Sequence, residues 1–264
     1  MIFHTLLRKM ATEMDTPIRY FLDCEGDVLL LHDCLNHQLT LSWEGTQCLH
    51  CQQEKPLFRQ GFCQSCFFEI PQAAEWVMRP ELSKAHLDIE DRDISYEKKV
   101  QLQPHIVYLA SSSHLKVGIT RKSQLPTRWI DQGAHLAVPL LEVPNRYLSG
   151  VAEVAMKAIF SDKTNWRKML QNESEPVDWQ WARDQFIAHL PENLKPYLQA
   201  RQDPTAFHYP VLDYPQKVKS LNITKTPKYQ GRLIGVKGQY LLFEDQTVFN
   251  IRSYEGNRLQ ITVH

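Results

Sequence analysis

Hydrophobic and polar residues alternate with the period of β-strands at both ends of the chain. Near the N-terminus, the turn Glu25-Gly26-Asp27 separates two of these runs and predicts a tight hairpin. Both ends therefore predict short antiparallel β modules of the small-barrel kind, and the pattern leaves open whether the two modules associate. The predicted strands cover residues 18–22, 28–31, 39–43, 217–223, 231–236, 239–243 and 247–251.

The pattern between the two ends is different. Two short apolar runs, 105–110 and 115–120, flank the polar turn Ser111-Ser-Ser-His114 and predict a second hairpin. Two segments of helical character follow, one holding Arg128 and one holding Glu153. Residues 48–70 also contain two CxxC pairs, whose spacing is typical of a zinc site. We therefore expect an α+β protein in which a zinc ribbon and a small ββαβα domain are flanked by antiparallel β modules. The segments are 1–47 (N-terminal β module), 48–70 (cysteine module), 71–103 (connector), 104–170 (ββαβα domain), 171–208 (helical acidic segment) and 209–264 (C-terminal β module).

Charge is unevenly distributed along a chain whose net charge is zero. Residues 1–97 carry 8 Lys and Arg against 16 Asp and Glu, a net charge of −8. Residues 98–170 carry 11 against 4, a net charge of +7, and this basic block coincides with the ββαβα domain. A basic face of this kind indicates a polyanionic partner, although dedicated non-specific DNA-binding proteins are usually basic overall.

Four of the six cysteines form two CxxC pairs, Cys48/Cys51 and Cys63/Cys66. Two such turns together supply the four thiolates that Zn²⁺ prefers, and a site filled by four protein ligands is structural. The main alternative, a redox dithiol, comes as a single CxxC beside a βαβ pattern, which this sequence does not have. The CxxC pairs, with no export signal and no apolar run long enough to span a bilayer, predict a cytoplasmic protein without membrane contact.

The ββαβα segment resembles the GIY-YIG nuclease superfamily in Val107-Tyr108-Leu109, Lys116-Val-Gly-Ile-Thr120, Arg128, Glu153 and Asn165. It is more similar to the branch in which the second motif is Lys-Ile-Gly-Ile-Thr. The longer strings VYLASSSHLKVGITR, RWIDQGA and DKTNWRKML, with the CxxC pairs upstream and GVKGQYL downstream, resemble an uncharacterised bacterial domain-of-unknown-function family with a GIY-YIG-like core.

The superfamily resemblance implies a role for each matching residue. Glu153 would bind a catalytic Mg²⁺ or Mn²⁺, Arg128 would contact phosphate oxygens, and Tyr108 would position or deprotonate the attacking water. Lys116 stands where the second motif has tyrosine, and it would neutralise phosphate or act on the water. The Gly-Ile of the first motif is also replaced, by Ile106-Val107.

We expect nucleic acid, DNA or RNA, as the partner. The candidate contacts are Arg121, Lys122, Arg128, Lys157, Asn165 and Lys168. Each residue also has an ordinary structural interpretation; Glu153 and Lys157, for example, have the i, i+4 spacing of a surface helix pair. Three functions therefore remain open: a metal-dependent nuclease, a catalytically inactive RNA- or DNA-binding protein, and a zinc-stabilised protein-interaction scaffold.

Overall fold

The computed structural model describes residues 1–161 and 163–264, and its fold is of the mixed α+β kind predicted from the sequence. Every helix within these ranges is too short or too polar to cross a lipid bilayer. The strands are β1 (Ile2–Leu6), β2 (Ala11–Glu13), β3 (Arg19–Cys24), β4 (Asp27–Leu30), β5 (Gln38–Thr46), β6 (His105–Ser111), β7 (Leu115–Arg121), β8 (Leu136–Val143), β9 (Thr205–Ala206), β10 (Lys219–Ser220), β11 (Lys228–Lys237), β12 (Tyr240–Phe243), β13 (Thr247–Asn250) and β14 (Asn257–Val263). The α-helices are α1 (Gln64–Glu69), α2 (Glu75–Met78), α3 (Ile94–Gln101), α4 (Thr127–Asp131), α5 (Arg146–Met156), α6 (Trp166–Leu170) and α7 (Trp179–His189).

The two ends of the chain share one sheet of seven strands, with the order β1-β14-β5-β11-β12-β13-β10. Strand β14 lies between β1 and β5 and is antiparallel to both. The N-terminal strands β2, β3 and β4 form a separate antiparallel sheet. The association that the sequence left open is therefore observed as direct strand pairing between the termini.

The central sheet has the order β7-β6-β8-β9, and all of its neighbouring strands are antiparallel. Every residue of β6 is buried, because both faces of the sheet are covered. Val107 and Leu109 face a hydrophobic cluster that includes Ala152 and Met156 of α5. Ile106 and Tyr108 face the opposite way, into the cluster shared with the terminal sheets. The two-residue period of the strand thus directs Tyr108 toward the terminal sheets.

The connector packs against helix α5. It contains α2, α3 and short 3-10 turns, including Pro80–Leu82. Gly150 of α5 lies directly against this turn, so that a Cβ at position 150 would be 2.6 Å from the carbonyl carbon of Pro80 and closer still to the nitrogen of Glu81. The side chain of Arg92 holds the start of the connector by donating to the carbonyls of Phe67 and Ile70 at the end of the cysteine module.

Candidate functional site

The four CxxC cysteines converge on one point. Their sulfur atoms all lie within 4.8 Å of one another, and the Sγ atoms of Cys51 and Cys63 are 3.9 Å apart. A tetrahedron with metal–sulfur bonds of about 2.3 Å has edges of about 3.8 Å, which is close to the Cys51–Cys63 separation. The backbone N–H of Cys63 also donates to the Sγ of Cys48, which favours the thiolate form. The quartet is positioned to bind a metal ion and is consistent with structural zinc.

The remaining cysteines take no part in the quartet. Cys24 and Cys34 are buried among the apolar residues of the terminal sheets, and burial is the main cause that raises the pKa of both thiols. A raised pKa keeps a thiol protonated, and a protonated thiol is a poor metal ligand. This placement is that of ordinary core residues.

A cavity of about 470 Å³ contains the four residues that the GIY-YIG resemblance singles out. We call it the central cavity. It lies beside the β6–β7 hairpin, whose antiparallel register places Tyr108 opposite Gly118. The ring of Tyr108 covers Gly118 so closely that a Cβ there would be 2.6 Å from the phenol oxygen. Its lining includes Tyr108, Lys116, Arg121, Arg128, Arg146 and Glu153, together with Lys9, Asp131 and Arg252.

Tyr108 is fully buried at the base of the central cavity. Its hydroxyl donates to the Oε1 of Gln132 over 3.0 Å, and its ring meets Trp129 edge to face. Burial raises the pKa of Tyr108, against the opposing effect of the nearby Arg128 cation. The phenol therefore stays protonated at neutral pH and acts as a hydrogen-bond donor.

Lys116 extends from β7 and is only 4% exposed. Its Nζ donates to the hydroxyl of Thr164. Burial, followed by repulsion from Arg128, lowers the pKa of Lys116 to about 7. An amine with such a pKa exists as both cation and free base near neutral pH, which suits it either to neutralise an anion or to accept a proton.

Helix α5 contributes both a cation and a carboxylate. Its N-terminus is capped by the side chain of Asn145, and Arg146 follows in the first turn. The Arg146 guanidinium donates to the carbonyls of Trp76 (3.2 Å) and Val77 (2.7 Å), and burial lowers its pKa to about 10. Glu153 lies two turns later on the same helix face, with a side chain that is 14% exposed and 3.8 Å from the Nζ of Lys157.

The lining of the central cavity thus includes two lysines, four arginines and two carboxylates, and one of these carboxylates, Asp131, pairs with Lys9 at 2.7 Å. Guanidinium groups match the geometry of phosphate oxygens, and a carboxylate is the ligand that Mg²⁺ or Mn²⁺ takes from protein. Within residues 1–161 and 163–264, the cysteine quartet is the group in which three or more His, Cys, Asp or Glu ligand atoms come together.

The predicted nucleic-acid contacts divide into two groups. Arg121 and Arg128 line the central cavity, and Lys157 borders it through its contact with Glu153. The other three are outside the cavity lining of the described chain: Lys122 pairs with Glu142, Asn165 caps α6, and Lys168 is exposed on that helix.

Sequence reasoning missed several residues of the site. Arg146 had an available signal, because it precedes Glu153 by seven residues and a helix places such a pair on one face. Gln132 and Thr164, which accept from Tyr108 and Lys116, had no comparable pattern. Tyr96 lines the same cavity because the connector packs beside it, and no local periodicity in the sequence indicates this packing.

Comparisons with known proteins identify a family and no individual relative. The curated proteins and the solved structures gave no match. Residues 36–259 match the family described as Protein of unknown function (DUF2797). This range includes the cysteine quartet and the cavity residues Tyr108, Lys116, Arg128 and Glu153, and it covers most of the chain. The protein therefore belongs to the DUF2797 family.

Proposed function

We propose that the protein binds nucleic acid by taking a backbone phosphate into the central cavity and hydrolyses the phosphodiester there. The observation that carries the proposal is the convergence of Tyr108, Lys116, Arg128 and Glu153 in one cavity. The GIY-YIG resemblance selected these residues by their order in the sequence alone. Residues 45 positions apart along the chain, such as Tyr108 and Glu153, do not share a cavity as a consequence of strand or helix periodicity.

The chemistry follows from the charge and protonation of each group. Arg121 and Arg128 bind the non-bridging phosphate oxygens, where charge-assisted hydrogen bonds are strongest. Tyr108, whose hydroxyl proton is donated to Gln132, offers its oxygen as a hydrogen-bond acceptor that positions the attacking water, and neutral Lys116 accepts a proton from that water. A divalent cation, when bound at Glu153, supplies further stabilisation of the negative charge on the phosphate and the leaving oxygen.

We further propose that the cysteine quartet holds one Zn²⁺ in a compact zinc module whose role is structural. The 3.9 Å sulfur separation and the N–H donor to Cys48 support this assignment. Four protein sulfurs fill a tetrahedral ion and leave no position for substrate. Metal analysis of the purified protein should find about one zinc per chain and a clear loss of zinc in Cys48→Ser.

Cleavage and binding can be separated with two variants and a matched control. Glu153→Gln keeps the shape of the side chain and removes its charge, so we expect loss of Mg²⁺- or Mn²⁺-dependent cleavage of labelled oligonucleotides with binding retained. Arg128→Ala should weaken binding by about 10- to 100-fold, the value of a charge-assisted contact. Lys217→Ala removes an exposed cation outside the central cavity and should change neither result.

The outcomes distinguish the three functions. Equal cleavage by the wild type and Glu153→Gln would exclude Glu153 from catalysis. Salt-dependent binding without cleavage in any divalent cation would favour the inactive nucleic-acid-binding protein. That alternative has support in the Glu153–Lys157 contact and in the lysine that replaces the second motif tyrosine. Absence of binding to any nucleic acid would leave the protein-interaction scaffold.

A further inference from the structure

The connector forms one side of the central cavity. Five of its lining residues come from α2, from the turn after it and from α3, and we call these five the connector wall: Trp76, Met78, Pro80, Tyr96 and Val100. This segment precedes the ββαβα unit in the sequence and is additional to it. The shape of the cavity is therefore set by the connector as well as by the hairpin and helix that carry the proposed catalytic groups.

The connector wall is held firmly against helix α5. Gly150 packs on the backbone of Pro80 and Glu81 without room for a methyl group. Arg146 adds two hydrogen bonds to the carbonyls at Trp76 and Val77, and its guanidinium lies 5.6 Å from the centre of the Trp76 ring. Moving the wall away from the cavity would break these contacts and leave a buried cation without its acceptors, which is costly.

The proposed catalytic groups line the central cavity and are little exposed. Tyr108 is fully buried, Lys116 is 4% exposed, and the Glu153 side chain is 14% exposed. The volume of about 470 Å³ is in the range of small-ligand pockets, which is about 300–1,000 Å³. A phosphate can reach these groups only if the strand that carries it enters the cavity. In a duplex, the second strand and the paired bases would have to enter the cavity together with that strand. A duplex is too wide for this, because its major groove alone is about 12 Å wide.

Tyr96 provides a surface for the nucleotide that enters. It is half-buried in the connector wall, where Arg121 and Arg146 are close enough to oppose the rise in its pKa that burial causes. An aromatic ring beside phosphate-binding cations is the arrangement that single-strand-binding proteins use, with the base stacked on the ring and the phosphate bound beside it.

We propose that the central cavity accepts an unpaired strand or strand end and excludes intact duplex, with an unpaired base against Tyr96. This inference rests on the proposed function of the same cavity, since it names the form of nucleic acid that the cavity takes. It applies equally to DNA and RNA, because both present the same phosphodiester and every base has a flat aromatic face.

The test compares three labelled oligonucleotides by fluorescence anisotropy: an unpaired strand, the same sequence as a blunt duplex, and that duplex with one unpaired tail. We expect the unpaired strand and the tailed duplex to bind at least about tenfold more tightly than the blunt duplex. Positive charge alone would give the opposite order, because a duplex has the higher charge density. Cleavage, where it occurs, should fall in the unpaired tail.

Two variants at one position test the role of the ring. Tyr96→Leu removes the aromatic face and should reduce the preference for the unpaired strand by about tenfold, whereas Tyr96→Phe should retain it. Melting curves of both variants control for folding. Equal loss in the two variants would contradict stacking on the ring.

Other results overturn the inference in recognisable ways. Equal affinity for the blunt duplex and the unpaired strand would refute it and leave the proposed nucleic-acid binding intact. If a mononucleotide displaces the labelled unpaired strand at a concentration equal to that of the strand, the inference is refuted. The ligand of the cavity would then be a small nucleotide and not a strand. Failure of all three oligonucleotides to bind would refute the proposed function itself.

Discussion

Gly150 provides a sharp test of how the connector is attached to helix α5. The residue lies in the interior of α5, where replacing glycine by alanine usually stabilises a helix by about 1 kcal/mol. In this structure the new methyl group would be 2.6 Å from the carbonyl carbon of Pro80, and that neighbour is backbone. Tight packing against backbone cannot be relieved by a side-chain rotation, so the helix and the connector must separate.

We therefore expect Gly150→Ala to destabilise the protein, in contrast to the effect of helix propensity alone. Overpacking typically costs about 1–3 kcal/mol. For a chain of this size each kcal/mol corresponds to about 2–4 °C in Tm. Val154→Ala is the matched control, because Val154 lies one turn later and is 47% exposed. That substitution improves helix propensity without a clash and should leave stability equal or slightly higher.

Urea unfolding of both variants and the wild type, followed by circular dichroism, measures the effect. A Gly150→Ala protein as stable as the wild type, or more stable, would refute the contact between α5 and the 3-10 turn Pro80–Leu82. It would also remove one of the attachments between the connector and α5, whereas the Arg146 hydrogen bonds to Trp76 and Val77 and the stacking of His86 on Tyr147 would remain.

Two further predictions concern groups away from the central cavity. Removal of metal by a strong chelator, or Cys66→Ser, should lower Tm, because binding energy at a structural site is folding energy; an unchanged Tm after verified metal removal would contradict the zinc assignment. Burial lowers the pKa of Lys237 to about 7. Between about pH 7 and 10 the unfolded chain therefore binds a proton at this lysine that the folded protein does not bind. The free energy of unfolding consequently rises with pH over this range. Compared with Lys237→Met, the wild type should gain up to about 1.4 kcal/mol in unfolding free energy per pH unit from pH 7.5 to 9.5, and a constant difference would refute this.

The features that the sequence predicted are those with local signals. The paired CxxC spacing predicted the quartet, and the alternation on either side of Ser111–His114 predicted the β6–β7 hairpin. Strand β14 also had a local signal, the alternation in Leu259-Gln-Ile-Thr-Val263, but the sequence analysis assigned no strand there. The predicted strand 217–223 was too long, since only Lys219 and Ser220 pair with a neighbouring strand, at the sheet edge.

Features that depend on distant contacts were not predictable in this way. The pairing of β1 with β14 joins residues at opposite ends of the chain, and no periodicity within either strand specifies its partner. The connector wall has the same origin, because its place beside the cavity is fixed by Gly150 and Arg146. Arg146, by contrast, had a local signal that was not used, since a helix was predicted around Glu153 and a seven-residue spacing places the two side chains on one helix face.

The cysteine quartet and the central cavity are connected through the connector. Cys66 lies within α1, and the carbonyls of Phe67 and Ile70, near the end of that helix, are bound by Arg92 from the segment that leads into α3. The chain continues from Ile70 through a short 3-10 turn to α2, which carries Trp76 of the connector wall. A metal ion in the quartet would therefore fix the start of the same segment that Arg146 and Gly150 fix at the cavity. The role of the cysteine module would then be to hold the shape of the entrance to the central cavity. Loss of metal should therefore impair strand binding as well as stability.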